Sequence, residues 1–487
     1  MARGSGPRRR RLWRPTGPRA EEVHLGDTPR SQPLLHAVDH GAPVVVSPQP
    51  YVAASRDGGW GPHLDPFLAR NRAALQSLAL EPRIIAGREG VRLELQPGGR
   101  AGAVPLCSAV TGQVAGGAVV APRFGWPGVG RVLSVTGWGS GPEFLPQPLV
   151  PGSGREVPPW VLAGPVLHRL ADLLAHLRPG YRERIEVRPH PRGQIQWSSY
   201  VSRQLPSGHW HHLPCRFSEL ETDSRLRQAV RWTLERLRND LTERSTGDLV
   251  AILLTALARQ LLEQVADVPA RRPKRGELDP PLMGGAVASA AFREGLRAIG
   301  WIVDERGLGG GRSSDGLPWY LPLEQLWERY VEAVYRAEAA RTGGRLRVGR
   351  LGETTIPLPW SDPFHRSLGH LVPDAVIQRA DSVQIIDAKY KAHFADLDTT
   401  RWHQFTEEMQ AAHRADIHQI LAYAAAYADA PSIRATLVYP VPQHLAAVLI
   451  DRGQDRSTAT LPVGQRTITL ELRALPFGPT DVHSTGL

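Results

Sequence analysis

Apolar positions change their spacing along the chain, and each change predicts a different kind of element. Between residues 42 and 160, short apolar stretches such as Val91–Leu95 and Ala118–Ala121 are broken by Gly and Pro, which is how strands separated by turns read. A helix is predicted over 166–177, followed by short strands at 184–188, 194–200 and 210–213. The character then changes. Leu226, Val230, Leu234 and Leu237 recur at helical spacing, and 249–265 reads as a second, more apolar helix. The segment PARRPKRGELDPPLMGG, between residues 268 and 285, has the Pro and charge density of an exposed connection, and 307–316 is a second Gly-rich break. A helix over 287–303 lies between them.

After Pro322 a new pattern begins, in which Leu323, Leu326/Trp327, Tyr330/Val331 and Val334/Tyr335 form an apolar stripe repeating about every 3.6 residues. Strands at 371–378 and 383–390, a long helix at 402–428 and a strand at 434–439 follow, which is an α/β order. The whole predicts a multidomain α+β chain. Its parts are a disordered basic tail over 1–35, a β-rich N-terminal adaptor domain over 36–215, a helical middle segment with linkers over 216–320, and a C-terminal α/β domain over 321–487.

Composition narrows the function classes. The chain has 487 residues, 41% of them hydrophobic, and two cysteines, Cys107 and Cys215, so disulfides are excluded as the source of stability. The longest strongly apolar run, 249–258, is too short for a membrane span, and no membrane partner is expected. No apolar segment follows the basic start, so a secretory signal is not supported and a cytoplasmic location is expected. The net charge of +10 suggests a polyanionic partner, yet half of it lies in the first thirty residues, where eight Arg face three acids. That arm reads equally as a surface for phosphate contacts and as a solvated tail.

Only three of the 58 cationic residues are lysines, Lys274, Lys389 and Lys391. None follows a Gly-rich phosphate loop, so the chain is no nucleotide-driven motor by itself. Two of the three sit in Asp387-Ala388-Lys389-Tyr390-Lys391, thirteen residues after Pro373-Asp374. Alternation along a strand puts Asp387 and Lys389 on one face, about 7 Å apart along the strand. If the preceding strand lies alongside, Asp374 brings a second carboxylate. Hard oxygen ligands suit Mg²⁺, which also binds substrate phosphate, while a lysine can orient or help deprotonate the attacking water. Arginine stays protonated and could not be that base. The competing reading is a surface ion pair on an edge strand.

The sequence PD…DAKYK resembles the PD-(D/E)xK nuclease superfamily, and within it the McrC family, the nuclease subunit of modification-dependent restriction systems. Trp327-Glu328-Arg329-Tyr330-Val331 is similar to the family's first-helix pattern, in which a glutamate can join the metal site. His418-Gln419-Ile420-Leu421-Ala422-Tyr423 is similar to its Gln-xxx-Tyr motif, and Gln419 and Tyr423 share one helical face. Looser matches at Arg192–Ile195, Leu213–Phe217 and Asp223 extend the likeness over residues 181–439. The resemblance implies a restriction-endonuclease-like domain with Asp374, Asp387, Lys389, Glu328, Gln419 and Tyr423 in its active site. Asp374, Asp387 and Glu328 would be the Mg²⁺ ligands.

It further implies a defence endonuclease that hydrolyses double-stranded DNA beside a McrB-like AAA+ GTPase, in a higher-order complex with the motor ring. Two alternatives stay open: a non-catalytic DNA-gripping adaptor that docks on and stimulates such a motor, and a nuclease directed at RNA. His209, His211, His212 and Cys215 lack a second ligand pair at zinc-finger spacing, and zinc is not expected there. His365, His370, His393 and His418 are not read as ligands.

Overall fold

A computed structural model of the chain describes residues 33–52, 59–87, 90–138, 141–151, 157–177, 180–221, 224–244, 248–278, 289–304, 315–361, 367–391, 406–463 and 466–478. Residues 1–32 of the basic tail, Asp223, His365, His393 and Trp402 lie outside them, whereas Leu34 and Leu35, placed in the tail by the sequence, begin the first strand, where they pair with Gly117 and Ala118.

Strands β1 (Leu34–Val38) and β2 (Val44–Val46) lead into helix α1 (Leu64–Ser77). Then come β3 (Leu80–Gly87), β4 (Gly90–Pro97), β5 (Arg100–Cys107) and β6 (Val114–Ala121). Helix α2 (Gly125–Thr136) and the two-residue strands β7 (Glu143–Phe144) and β8 (Val150–Pro151) precede α3 (Trp160–His176). Neither α1 nor α2 was predicted, because each carries a proline in its first turn, where a missing N–H is tolerated, and α2 is interrupted by glycines. Those glycines answer to packing: a Cβ on Gly130 would come within 2.6 Å of Val250.

Strands β9 (Gly180–Arg188), β10 (Gln194–Ile195) and β11 (Leu213–Glu221) form a separate sheet in the order β10-β11-β9. Here the predicted strand at 194–200 is corrected: it stops at Ile195, and the chain turns into helical backbone over Trp197–Ser199 and Tyr200–Gln204. Helices α4 (Ser224–Arg244), α5 (Leu249–Glu263) and α6 (Ala290–Val303) follow, as their periodicity predicts. They pack with α3 into one core that also takes in Trp319, Trp327 and Phe477, so the middle helices are not isolated from what flanks them.

Strand β12 (Asp315–Gly316) pairs with β8, and β13 (Trp319–Pro322) pairs with β5 and β7, giving a sheet ordered β1-β6-β5-β13-β7. The border predicted between residues 320 and 321 therefore runs through a strand of the first sheet. Next come α7 (Leu323–Thr342), β14 (Arg345–Val348), β15 (Ile356–Pro357), β16 (His370–Leu371), β17 (Ala375–Gln378) and β18 (Ser382–Ala388). After them come α8 (Glu407–Ala425), β19 (Ser432–Val441), α9 (Gln443–Asp451), β20 (Arg456–Val463) and β21 (Arg466–Pro476).

The last sheet has the order β14-β17-β18-β19-β21-β20. Its inner strands β18, β19 and β21 are parallel, and β18 is buried on both faces, as a covered parallel strand must be. Alternation along β18 splits its side chains. Ile386 and Ala388 join the core with Trp327 and Tyr330 of α7, whereas Ile385 packs with Ile420 and Tyr423 of α8. A fully buried isoleucine such as Ile385 or Ile386 contributes roughly 1.5–3 kcal/mol. Helices thus clamp the sheet from both sides, with α7 against one face and α8 against the other.

Candidate active site

The predicted strand over 371–378 is broken. Val372, Pro373 and Asp374 form a turn between β16 and β17, and Asp374 stands just before β17 rather than within it. The register pairs Ala375 with Ile386, so the next step outward sets Asp374 against Asp387. Asp374 Oδ2 accepts the Ala388 backbone N–H at 2.7 Å, which fastens the turn to the end of β18. Two contacts hold the turn from behind: Gly349 N–H donates to the Asp374 carbonyl at 2.8 Å, and Thr354 Oγ1 donates to the Pro373 carbonyl at 2.6 Å. Gly349 is required there, since a Cβ would lie 2.4 Å from the Pro373 oxygen.

Asp387 is 2% exposed and shares the α8 face with Lys389, as predicted. Lys389 Nζ lies 2.7 Å from Asp387 Oδ2 and donates to Gln419 Oε1 at 2.8 Å. Gln419 Nε2 in turn donates to Tyr423 Oη at 2.6 Å. The residues singled out in the sequence on β18, just past its end and on α8 form one continuous line: Asp387, Lys389, Gln419, Tyr423.

Burial sets the electrostatics. Loss of water, then the nearby Asp387 charge, pushes the Asp374 carboxyl up to about 8, against the opposing Ala388 amide. Burial also raises Asp387, although Lys389 works the other way, and the two carboxyls are close enough to share a proton. Burial opposes the charge on Lys389, but Asp387, Asp416 and Asp374 together lift the ammonium above its usual range. In this state Lys389 is a held cation, which favours the orienting role over the base role. Glu328 enters from α7 at the exposed rim; burial of its carboxyl and then Glu324 and Asp387 raise it, with solvent access softening all three.

A cleft of about 290 Å³ opens beside Asp374, lined in part by Gln325, Glu328, Arg329 and Arg350. Arg350 is fixed by two bonds to the buried Glu332 of α7, at 2.8 and 3.0 Å.

Among the described residues no three His, Cys, Asp or Glu side chains form a ready cation cage, so Glu328 is not gathered with the two aspartates into one. Mg²⁺ needs none: it commonly takes one or two carboxylates and keeps waters or substrate phosphate for the rest. Asp387 Oδ2 fits that demand, because it is buried with no hydrogen-bond partner and stands 2.7 Å from the Lys389 ammonium as an ion pair.

One pair escaped the sequence reading. Lys391 Nζ binds both oxygens of Asp416, each at 2.7 Å, and Asp416 is buried on the α8 face that carries Gln419. The three-residue step from Asp416 to Gln419 and the rarity of lysine were the available signals. Elsewhere, His209 stacks on His212 while His211 meets His212 edge-on, and Cys215 is buried in β11. His370 and His418 are exposed.

Fold and site together define a mixed α+β protein whose last sheet gathers two aspartates and a lysine at the ends of neighbouring strands. The family model described as McrBC 5-methylcytosine restriction system component matches residues 167–440, more than half of the chain, and the chain belongs to that family. No curated protein sequence matches it. Two solved structures are similar. The refined half-complex of Thermococcus gammatolerans McrB AAA+ hexamers with bound McrC, from a tetradecameric assembly, is 12% identical with a TM-score of 0.38, over 91% of this chain and 95% of that one. The cryo-EM McrBC complex from the same organism is 12% identical with a TM-score of 0.27, over 65% and 90%. No helix among the described residues is long and apolar enough to cross a membrane.

Proposed function

We propose that this chain is the nuclease subunit of a McrBC-type restriction system, hydrolysing DNA phosphodiesters in a PD-(D/E)xK domain with Mg²⁺ and a McrB-like GTPase partner. The observation that carries this reading is the convergence of Asp374, Asp387 and Lys389, fastened by the Asp374–Ala388 bond. Asp374 and Asp387 would hold the cation, with Glu328 at the rim. The ion supplies Lewis acidity toward a phosphate oxygen and lowers the pKa of water. Lys389, fixed by Asp387 and Gln419, orients the attacking water and offsets the negative charge that builds on the phosphate. Tyr423 holds Gln419 in place, and Arg329 and Arg350 offer the cleft positive charge for a neighbouring phosphate.

Partner docking has its own support in the exposed apolar side chains of the β9–β11 region, among them Ile185, Trp197 and Trp210, the last 71% exposed. That surface also suits the adaptor alternative, so the decisive test is strand scission. Supercoiled plasmid and an RNA of equal length are incubated with Mg²⁺, GTP and the partner, comparing wild type with Asp387→Ala and Lys389→Ala. Cleavage of DNA by wild type alone is expected. Equal cleavage by all three rejects the site, whereas stimulated GTP hydrolysis without any scission establishes the adaptor.

A further inference from the structure

The lysine loop is gripped from the other end of the sequence. Asp39 follows β1, and its N–H donates to the Ala121 carbonyl at 3.0 Å, extending the parallel pairing of β1 with β6. Just past β6, Arg123 donates its backbone N–H to Asp39 Oδ1 and brings its Nε to 3.6 Å from Asp39 Oδ2. Asp39 is fully buried, so this acid and base stabilise each other away from water. The guanidinium then reaches across to the last domain. It lies 4.3 Å from the centre of the Tyr390 ring and donates Nη2 to the Tyr390 carbonyl at 3.0 Å.

Tyr390 stands between Lys389 and Lys391, the two lysines whose ammonium groups are fixed to Asp387 and Asp416. Its buried ring is enclosed by His40, Phe124 and Phe477 at 5.7, 5.8 and 5.9 Å. The same corner also holds the opposite wall of the site, because His40 Nε2 lies 3.4 Å from Glu324 on α7, one turn before Glu328. Both the loop that presents Lys389 and the helix that presents Glu328 are therefore tied to Asp39 and His40. Apolar packing could fill this space about as stably as a buried ion pair does. What packing cannot supply is a directional bond to the carbonyl between the two lysines.

We propose that Asp39 and Arg123 are positioning residues, which set the backbone at Tyr390 and through it the placement of Lys389. The proposal rests on the nuclease reading above. A misplaced catalytic group lowers turnover more than substrate binding, and a shift of about 1 Å can cost on the order of a hundredfold.

The test compares kcat and KM for Mg²⁺-dependent plasmid cleavage, with the GTPase partner present, in wild type, Asp39→Asn/Arg123→Gln and Arg123→Lys. The neutral pair is expected to lose about tenfold or more in kcat with KM little changed, and Arg123→Lys, which keeps a cation over the ring, is expected to recover part of the loss. Tyr390→Leu keeps both charges of the pair and removes the covered ring together with the hydroxyl that meets Asp39; it is expected to lower kcat likewise, and it decides the matter should the neutral pair not fold. Wild-type kcat in the variants, a rise confined to KM, or no recovery by Arg123→Lys overturns the proposal. Absence of cleavage by wild type overturns the nuclease reading instead.

Discussion

The Asp374 carboxyl is fastened by its Oδ2 to the Ala388 amide at 2.7 Å, so the first acid of the site is carried by the very strand that bears the second, Asp387. That attachment holds two buried acids together, and their ionisation is the first thing to measure. The folded-state pKa of Asp374 is pushed up to about 8, by burial first and then by Asp387. A carboxyl raised on folding binds its proton more tightly in the native state. Its contribution to stability is complete below the unfolded value of about 4 and is lost as pH rises toward about 8. Melting curves in EDTA should therefore show wild type losing more stability than Asp374→Asn over that window, with Mg²⁺ restoring wild type at the alkaline end. Parallel curves for the two proteins would count against the assignment.

Gly349→Ala tests the support behind the acid. The new methyl would lie 2.4 Å from the Pro373 oxygen, and the backbone beside Asp374 must move to relieve it. A loss of about 1–3 kcal/mol in stability is expected from such overpacking. Cleavage measured below the melting transition should fall further than the stability loss explains.

Lys389→Arg keeps the charge and loses the compact ammonium. A planar guanidinium cannot meet Asp387 and Gln419 from the same point, and cleavage is expected to fall by about a hundredfold or more. Wild-type rates in this variant would show that charge alone suffices.

Gln419→Ala and Tyr423→Phe grade the line that steadies the lysine. Gln419 contacts Lys389 directly and Tyr423 only through Gln419, so the first should cost roughly tenfold in kcat and the second less. The reverse order would show that Tyr423 has a separate task.

The site was more legible than the fold around it. Rarity marked Lys389 and Lys391 in an Arg-rich chain, and strand alternation put Asp387 and Lys389 on one face; both signals are local. The resemblance inferred over 181–439 also lies within the family match over 167–440. What escaped depended on contacts between distant segments. Asp416 is an ordinary helical acid until Lys391 reaches it, and Gly349 is an ordinary turn glycine until Pro373 packs against it. Strand β13 pairs with β5 from more than two hundred positions away, which no local pattern announces. Helix α2 contradicts its own composition, since tight packing against Val250 and Trp160 outweighs the weak helix propensity of Gly130.

The central claim, that Asp374 and Asp387 hold the cation needed for DNA cleavage, is tested most directly by titrating wild type, Asp374→Asn and Asp387→Asn with Mn²⁺, reading bound metal on the chain alone and plasmid scission with GTP and the GTPase partner added. The account predicts that wild type binds metal and cuts, and that each substitution removes both together. Undiminished scission in Asp387→Asn would contradict it.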